Sequence, residues 1–333
     1  MAQLGLTTYR LNNNLKSTAL LIAFPFLLLT LMGVIVFALG SLGNPEDLFG
    51  AFGVSPLLGT GDAGDLALST VYAWWPVILG IAAAWVLIGY LFNDAIIHRA
   101  TGAKPVTREQ QPALYDQLEN LCISRGLAMP RLYMIDSPAM NAYASGIDAR
   151  SYAITVTTGL LAQLDPDEVE AVLAHELTHI MNRDCRLLIV TVVFVGMISF
   201  LTQLLWRGLR VMSFTRVRGK GGLAVVVVML IAAIAFAIGY VLALVLRFAI
   251  SRRREYQADA GSVDLTKNPD ALISALLKIS RNPNVEHVPS EVQQMFIEDP
   301  PSRSRIAAFF DTHPPIAKRI EVLEALGGHV PSQ

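Results

Sequence analysis

A chain of 333 residues is long enough for a sizeable core and for about two domains. Hydrophobic residues make up 53% of it and charged residues only 16%, so much of the chain is expected to lie away from water. The net charge of -1 gives no reason to expect a nucleic acid as a partner. The two cysteines, Cys122 and Cys185, lack CxxC spacing, which predicts neither a disulfide framework nor a thiolate zinc site.

Four apolar runs are each long enough to cross a bilayer as a helix, which needs about 20 residues. The runs lie at about 17–40, 71–92, 187–206 and 223–246, and none contains a charged residue. Four such runs argue against buried helices of a soluble protein, and a transporter would carry ionisable residues within its spans. The first run is too long for a cleaved signal peptide and is predicted to remain as an anchor.

The distribution of basic residues predicts the orientation of the first two runs. Basic residues precede the first run and follow the second, and the loop 41–70 between them has no lysine or arginine. By the positive-inside rule, the N-terminus and the chain after Phe92 belong in the cytoplasm. The loop between the third and fourth runs opposes the rule if both runs cross, because it carries Arg207, Arg210, Arg216, Arg218 and Lys220.

The polar stretch after the second run is predicted to be mixed α/β. Apolar residues recur at helical spacing over about 106–126. Short segments rich in β-branched residues, beginning at Arg131 and Ser151, predict two strands, and MNAYASG at 140–146 predicts a third. The polar stretch from about Ser251 onward is predicted to be mainly helical.

The segment 164–184 is predicted to be a helix with a well-defined start. Asp165 suits the N-cap, and Pro166 suits the first helical position. Glu168, three residues after the cap, can complete a capping box. A helix here fixes the spacing of the side chains that follow.

Two histidines and a glutamate on this helix form the pattern HExxH. His175 and His179 are four residues apart, so both project from one helix face toward a single metal ion. Zinc accepts N and O ligands in a tetrahedral arrangement and keeps one position for water at catalytic sites. Glu176 is predicted to take a proton from that water as the general base.

A third ligand is expected in the segment SRRREYQADAGS, which follows the fourth apolar run. Glu255 and Asp259 are one helical turn apart and therefore share a face. Glu255 is predicted to bind the metal, and Asp259 to accept the N–H of a ligating histidine and so fix its tautomer. A solvated helix end would explain the neighbouring arginines but not this pair of carboxylates.

Three segments in this order resemble the M48 metallopeptidases: HELTHIMNRD, RREYQADAG and THPPIAKRI. Within that family the resemblance is greatest to the HtpX-type heat-shock membrane proteases of bacteria. It implies a zinc endopeptidase with one Zn²⁺ per chain, bound by two histidines and a glutamate. The matching residues are His175, His179 and Glu255, with Glu176 as the base.

Together with the apolar runs, the resemblance implies an α-helical membrane protein with a mixed α+β gluzincin-type catalytic domain and about four transmembrane helices. The expected location is the bacterial inner membrane, with the catalytic domain in the cytoplasm. The expected partners are the lipid bilayer and polypeptide substrates, chiefly membrane proteins under quality control. The expected organisation is a membrane hairpin at 1–95, a first catalytic part at 96–186, a second hairpin at 187–247 and a second catalytic part at 248–333.

Two further residues are candidates for substrate binding. His313 lies in the proline-rich segment DTHPPIAKR, and the resemblance implies that it approaches the site and helps to bind substrate or the oxyanion. A helix cap is the alternative role for His313. Asn141 is predicted to lie on an edge strand that pairs with an extended substrate, with a turn asparagine as the alternative.

Other functions were weighed against the peptidase. A CAAX-type prenyl-peptide protease would share the zinc chemistry, but four spans provide less enclosure than a lipidated substrate needs. An intramembrane protease would have its HExxH inside an apolar run, whereas this motif follows a polar, capped segment. A catalytically inactive membrane scaffold would have lost a ligand or the base, and this chain keeps all four residues.

Overall fold

The structure is a computed structural model, and its described residues fall into two compact units that are treated separately. The catalytic unit draws on 89–192 and 245–333, and the apolar unit on 18–88 and 193–244. The described residues are 15, 18–19, 22, 25–34, 36–37, 62–189, 197, 200, 202–203, 206–207, 230, 233–234, 237, 252–286, 288, 292, 295–298 and 313–330.

Two apolar helices come first in the chain. Helix α1, Pro25–Val34, lies within the first apolar run, and helix α2, Ala63–Thr101, contains the second. Residues 67–101 of α2 are long and apolar enough to cross a membrane, and no other helix among the described residues meets both criteria. Most of the third and fourth runs lies outside the described residues, so four transmembrane helices remain a prediction.

Helix α2 exposes apolar side chains along most of its length. Only 11% of its most apolar stretch is buried, and Trp74, Trp75 and Leu79 are 41%, 45% and 43% exposed. Contact of such a surface with lipid removes it from water, which is favourable by about 25 cal/mol per Å². The helix is longer than the predicted run at 71–92 because hydropathy marks the apolar length, whereas the helical hydrogen bonds continue into polar sequence.

The catalytic unit contains a four-stranded sheet with the strand order β1-β2-β4-β3. Strand β4 is parallel to β2 and antiparallel to β3, and its Ile154 pairs with Leu132 on one side and Ala144 on the other. The three strands predicted from the sequence are confirmed as β2, β3 and β4. The strands are β1 Lys104–Pro105, β2 Arg131–Ile135, β3 Ala142–Ser145 and β4 Ala153–Thr157.

Several helices accompany this sheet in the described part of the catalytic unit, including a short helical segment at 184–189. The others are α3 Pro112–Arg125, α4 Thr158–Gln163, α5 Pro166–Asn182, α6 at 252–266, α7 Pro269–Ile279 and α8 Ile316–Ala325. Helix α3 ends as predicted, with Gly126 at φ 62° in the left-handed region that glycine adopts without strain.

The end of α2 packs on one face of the sheet. The ring of His98 stacks on Tyr133 with centroids 3.7 Å apart, and Thr101 Oγ1 lies 3.0 Å from the Tyr143 hydroxyl. Helix α2 continues past residue 95, and the predicted domain boundary there stays a prediction. Its last turns belong to the catalytic unit.

The core lies on the other face of the sheet, against α5. Leu132 and Ile154 from the sheet, Leu173 and Leu177 from α5, and Leu276 from α7 are all at most 1% exposed. Burying each of these side chains contributes roughly 1.5–3 kcal/mol. Helix α5 is thus held between the sheet and α7, which makes it a rigid support for the HExxH motif.

The predicted capping box at the start of α5 is confirmed. The Asp165 carboxylate accepts from the Glu168 N–H at 3.0 Å, and the Glu168 carboxylate accepts from the Asp165 N–H at 2.9 Å. Lys278 on α7 also donates to Glu168, at 2.6 Å. The same carboxylate therefore caps α5 and links it to α7.

Candidate metal centre

Three side chains from two helices converge at one point of the catalytic unit. His175 and His179 project from α5, and Glu255 projects from α6. The two Nε2 atoms are 3.2 Å apart, and the Glu255 carboxylate oxygens lie 3.5 Å from His175 Nε2 and 3.7 Å from His179 Nε2. The structure brings the three predicted ligands together, with all ligand atoms within 4.8 Å of one another.

The tautomers of both histidines follow from their outer partners. Asp259 Oδ1 lies 3.0 Å from His175 Nδ1, and Asp184 Oδ2 lies 3.0 Å from His179 Nδ1. A carboxylate at this distance favours the tautomer with the proton on Nδ1, which leaves the lone pair on Nε2 of the neutral ring for a metal. Two lone pairs and a carboxylate that face one another repel unless a cation lies between them. The donor set therefore fits a metal such as zinc.

The charge balance of the site also favours a cation. Burial opposes a charge on His179, but Glu255 and Asp184 outweigh it and raise the pKa of His179 to about 10. Without a metal ion, a proton on His179 neutralises part of the negative charge of these carboxylates. A divalent cation at the same point would satisfy the same carboxylates more fully.

Asp184 reaches His179 because helix α5 ends immediately before it. Arg183 adopts a left-handed conformation, with φ 59°, directly after the last helical residue. This turn directs the Asp184 carboxylate back to the ring of His179. A non-glycine residue at positive φ is uncommon and is consistent with a constrained, functional site. The sequence reasoning did not identify Asp184, although its position at the end of the motif helix was a usable signal.

A second charged residue that the sequence reasoning missed holds Asp259. Arg319 on α8 is fully buried, and its Nε and Nη2 donate to the two oxygens of Asp259 at 2.9 and 2.6 Å. Burial opposes the charge on Asp259, but Arg319 outweighs it and lowers the pKa of Asp259. The negative charge that orients His175 is therefore maintained in a dry interior.

Helix α6 comes close to α5 because Gly261 has no side chain. A Cβ atom at Gly261 would lie 2.3 Å from Thr178 Cγ2, which is far inside van der Waals contact. Ser262, the next residue, donates to the Ala171 carbonyl at 2.7 Å. These contacts fix the distance between the helices, and so the distance of Glu255 from the histidines.

Glu176 lies beside the ligands in the wall of a cavity and is 1% exposed. Burial raises the pKa of the Glu176 carboxyl, and the neighbouring Glu255 acts in the same direction. A raised pKa suits a group that must accept and then release a proton near neutral pH. The cavity is lined by Ala144, Glu176, His179, Asp184, Cys185, Leu188, Arg254, Glu255, Met295 and His313.

The two predicted substrate-binding residues lie in different places. His313 is in the cavity wall, with Nδ1 3.2 Å from Glu255 Oε2, so the structure brings it to the site. Asn141 is 1% exposed, and its amide donates to the carbonyls of Pro283 at 2.7 Å and Glu298 at 3.0 Å. Asn141 thus participates in an internal network, and substrate contact by either residue remains a prediction.

Comparisons with known proteins show the family of this chain. Residues 108–326 match the family described as Peptidase family M48. The chain belongs to the M48 peptidase family. A Protease HtpX homolog from Bacteroides fragilis is 41% identical over 330 residues, which cover 97% of this chain and 99% of the relative. A Protease HtpX homolog from Listeria monocytogenes is 37% identical over 254 residues, covering 73% and 84%.

Among solved structures, the crystal structure of Ste24p from S. mikatae matches 96% of this chain and 67% of that chain, with a TM-score of 0.48 and 18% identity. Membership in the M48 family makes the chain a metallopeptidase. The family implies a metal, and the cluster of two histidines and a glutamate is a fitting place for it.

The two outer carboxylates give a prediction for metal affinity. Asp184→Asn and Asp259→Asn are each expected to weaken zinc binding about 10–100-fold, because each amide lacks the negative charge that orients its histidine and raises the basicity of the ligand nitrogen. Competition with a zinc-sensitive dye measures the affinity. Asp167→Asn, at an exposed position in the first turn of α5, is the matched control. Unchanged affinity in both variants would contradict the orienting role.

Proposed function

We propose that this chain is a zinc-dependent endopeptidase in which His175, His179 and Glu255 bind the zinc ion. The observation that carries the proposal is the convergence of two histidine side chains and a buried carboxylate beside Glu176. Zinc at this point would polarise a water molecule and the carbonyl of the scissile bond. A catalytically inactive scaffold would not require metal ligands with a buried carboxylate beside them.

The residues around the cavity divide the chemistry between them. Glu176 takes a proton from the attacking water and delivers it to the amine nitrogen as the C–N bond breaks. His313 lies on the cavity wall, where an imidazole N–H can donate to the carbonyl oxygen as negative charge develops on it. Asp184 and Asp259 hold the imidazole rings of the ligands in place.

The substrates we propose are polypeptides that have lost their native packing, chiefly membrane proteins. A peptide bond reaches the buried Glu176 only from an extended chain, because a folded chain does not expose its backbone. The exposed apolar surface of α2 supports a location in the membrane. A membrane-anchored peptidase meets damaged membrane proteins at high local concentration, which supports a role in their quality control.

The proposal is tested by metal analysis and proteolysis of the detergent-purified protein. One zinc per chain and cleavage of casein are expected, with cleavage lost on chelation and regained when zinc is added. His175→Ala and His179→Ala are expected to lose the metal because each removes a ligand. Wild-type cleavage that survives complete removal of the metal would refute the proposal.

We further propose that the second pair of apolar runs crosses the membrane as a hairpin, with the catalytic unit in the cytoplasm. His179 precedes the third run and Glu255 follows the fourth, so one metal ion can join them only if both flanks lie on the same side. The run at 223–246 is uncharged along its whole length, which suits lipid better than water. The five basic residues between the runs would then lie outside the cell. This arrangement opposes the positive-inside rule, which is a statistical tendency that individual loops can violate.

Cysteine labelling of the loop between the third and fourth runs tests the hairpin. Ser213 and Gly221 lie in that loop, outside the described residues. Each is replaced by cysteine after Cys122 and Cys185 have been changed to serine. A hairpin predicts that a membrane-impermeant maleimide labels both positions from outside intact cells. Labelling only after permeabilisation would show that the runs do not cross, without affecting the assignment of the metal ligands.

A further inference from the structure

A short segment of the chain covers the free edge of the sheet next to the candidate metal centre. The segment, residues 295–298, is called the strap. Phe296 forms an antiparallel bridge with Tyr143 of β3, and the Ile297 N–H donates to the Ala142 carbonyl at 2.8 Å. The aromatic rings of Phe296 and Tyr143 also make an edge contact, with centroids 5.0 Å apart. The strap therefore pairs with β3 as a neighbouring strand would.

Strand β3 is the edge that an extended substrate would use. It is the last strand in the sheet order, so its backbone has one side free of β4. Ala142 and Ala144 are two residues apart and direct their backbone groups to the same side. Ala144 lies in the cavity wall with Glu176 and Met295, so that side faces the candidate centre. A peptide pairing there gains backbone hydrogen bonds and brings its own amides near Glu176.

The strap is held at this edge by anchors that do not belong to β3. The Asn141 amide donates to the Glu298 carbonyl at 3.0 Å. Arg319 Nη1 donates to the Ile297 carbonyl at 3.0 Å. Phe296 and Ile297 are each 2% exposed. These hydrogen bonds and buried side chains hold the strap in one position along β3. A substrate backbone would need the same position in order to pair with β3.

We propose that the strap is an intramolecular occupant of the substrate-binding edge, which an extended polypeptide must displace before cleavage. The proposal rests on the proposed peptidase function. The Ala142 carbonyl cannot pair with a substrate while Ile297 lies against it, and Met295 closes the same side of the cavity. Displacement makes cleavage depend on the ability of the substrate to form a strand. Unfolded chains have that ability, and folded proteins with covered edges do not.

A reversible crosslink tests the proposal directly. Opposite residues of an antiparallel pair that do not share backbone hydrogen bonds lie about 4.5 Å apart at Cα, within the range of about 4.4–6.8 Å that a disulfide spans. Tyr143→Cys combined with Phe296→Cys therefore ties the strap to β3, and mass spectrometry verifies the linkage. Oxidation is expected to lower casein cleavage at least about tenfold relative to the reduced double variant. Equal rates before and after reduction would overturn the proposal.

The two variants that carry only one of these substitutions, and the wild type, are each measured with and without the reductant. They control for the loss of Tyr143 and for the reductant itself. A second variant is needed in case the double variant folds poorly. Phe296→Ala removes the ring that holds the strap and is expected to raise casein cleavage by roughly twofold or more at unchanged zinc content. Unchanged or lower cleavage by this variant would overturn the proposal.

A measurement that does not require cleavage of the substrate tests this proposal separately from the peptidase function. Hydrogen exchange of the peptide that covers 295–298 is measured in Glu176→Gln, with and without unfolded casein. Faster exchange with casein is expected, because displacement frees the Ile297 N–H. If the exchange rate of this peptide does not change at saturating casein, the strap is not displaced by substrate. This result would contradict the strap proposal even if the wild type cleaves casein. If casein speeds the exchange but the wild type does not cleave casein, the result would contradict only the proposed peptidase function.

Discussion

Replacing Glu176 by glutamine is expected to lower casein cleavage by about 10²–10⁴-fold while the protein keeps its zinc. The amide has the same size as the carboxyl group but cannot accept the proton of the attacking water. Zinc content stays constant because His175, His179 and Glu255 are unchanged. Measurement of kcat/KM and of bound zinc on the same preparation gives both values. Cleavage at the wild-type rate would refute the role of Glu176 as base.

Glu170→Gln, six residues earlier on the same helix, is the matched control and is expected to retain both cleavage and zinc. The pH profile gives a further readout. Burial raises the pKa of Glu176, so the basic form is lost at a higher pH than for an exposed glutamate. The rate is therefore expected to fall as the pH drops through this raised value. The residual activity of Glu176→Gln should not show this fall in rate at low pH.

Replacing Arg319 by alanine is expected to destabilise the catalytic unit by about 3–5 kcal/mol, because it leaves the buried Asp259 without its counter-charge. Both residues of the pair are fully buried, and the guanidinium makes two hydrogen bonds to the carboxylate. Protonation of Asp259 would relieve the charge but would also weaken its hold on His175. A lower midpoint of thermal unfolding and a lower zinc affinity are both expected.

Arg125→Ala is the control for the loss of an arginine from an ion pair. Arg125 pairs with Asp264 at the surface, where the side chains are 34% and 57% exposed. An exposed pair of this kind contributes about 0–1 kcal/mol. Similar losses of stability in the two variants would mean that the burial of Arg319 has no special effect. The double variant Arg319→Met with Asp259→Leu should recover stability without recovering zinc affinity, since no carboxylate then orients His175.

The parts of the site that depend on one helix could be predicted from the sequence. HExxH places His175 and His179 on one face because the spacing of an α-helix is fixed by its hydrogen bonds. The capping box that starts this helix is equally local, since Asp165 and Glu168 are three residues apart. Glu255 and Asp259 could be recognised as a pair for the same reason, and the structure places both of them beside His175.

The remaining contacts depend on tertiary packing, which spacing along the chain does not reveal. Arg319 reaches Asp259 across sixty positions, from a different helix. Gly261 is important only because Thr178 lies against it. The strap could not be foreseen because a single antiparallel bridge has no periodic signature. The sequence predicts Asn141 on an edge strand that binds substrate. In the structure its amide donates to the Glu298 carbonyl, and substrate contact by Asn141 stays a prediction.

The distribution of the ligands along the chain also has a consequence for biosynthesis. The ribosome releases His175 and His179 first, then the residues of the third and fourth apolar runs, and only afterwards Glu255 and Arg319. Domains generally form from the N-terminus as synthesis proceeds, but this centre requires contacts between distant parts of the chain. A nascent or prematurely terminated product that ends before Glu255 therefore has two histidines and no complete metal centre. The order of synthesis delays proteolytic competence until both apolar runs have been made.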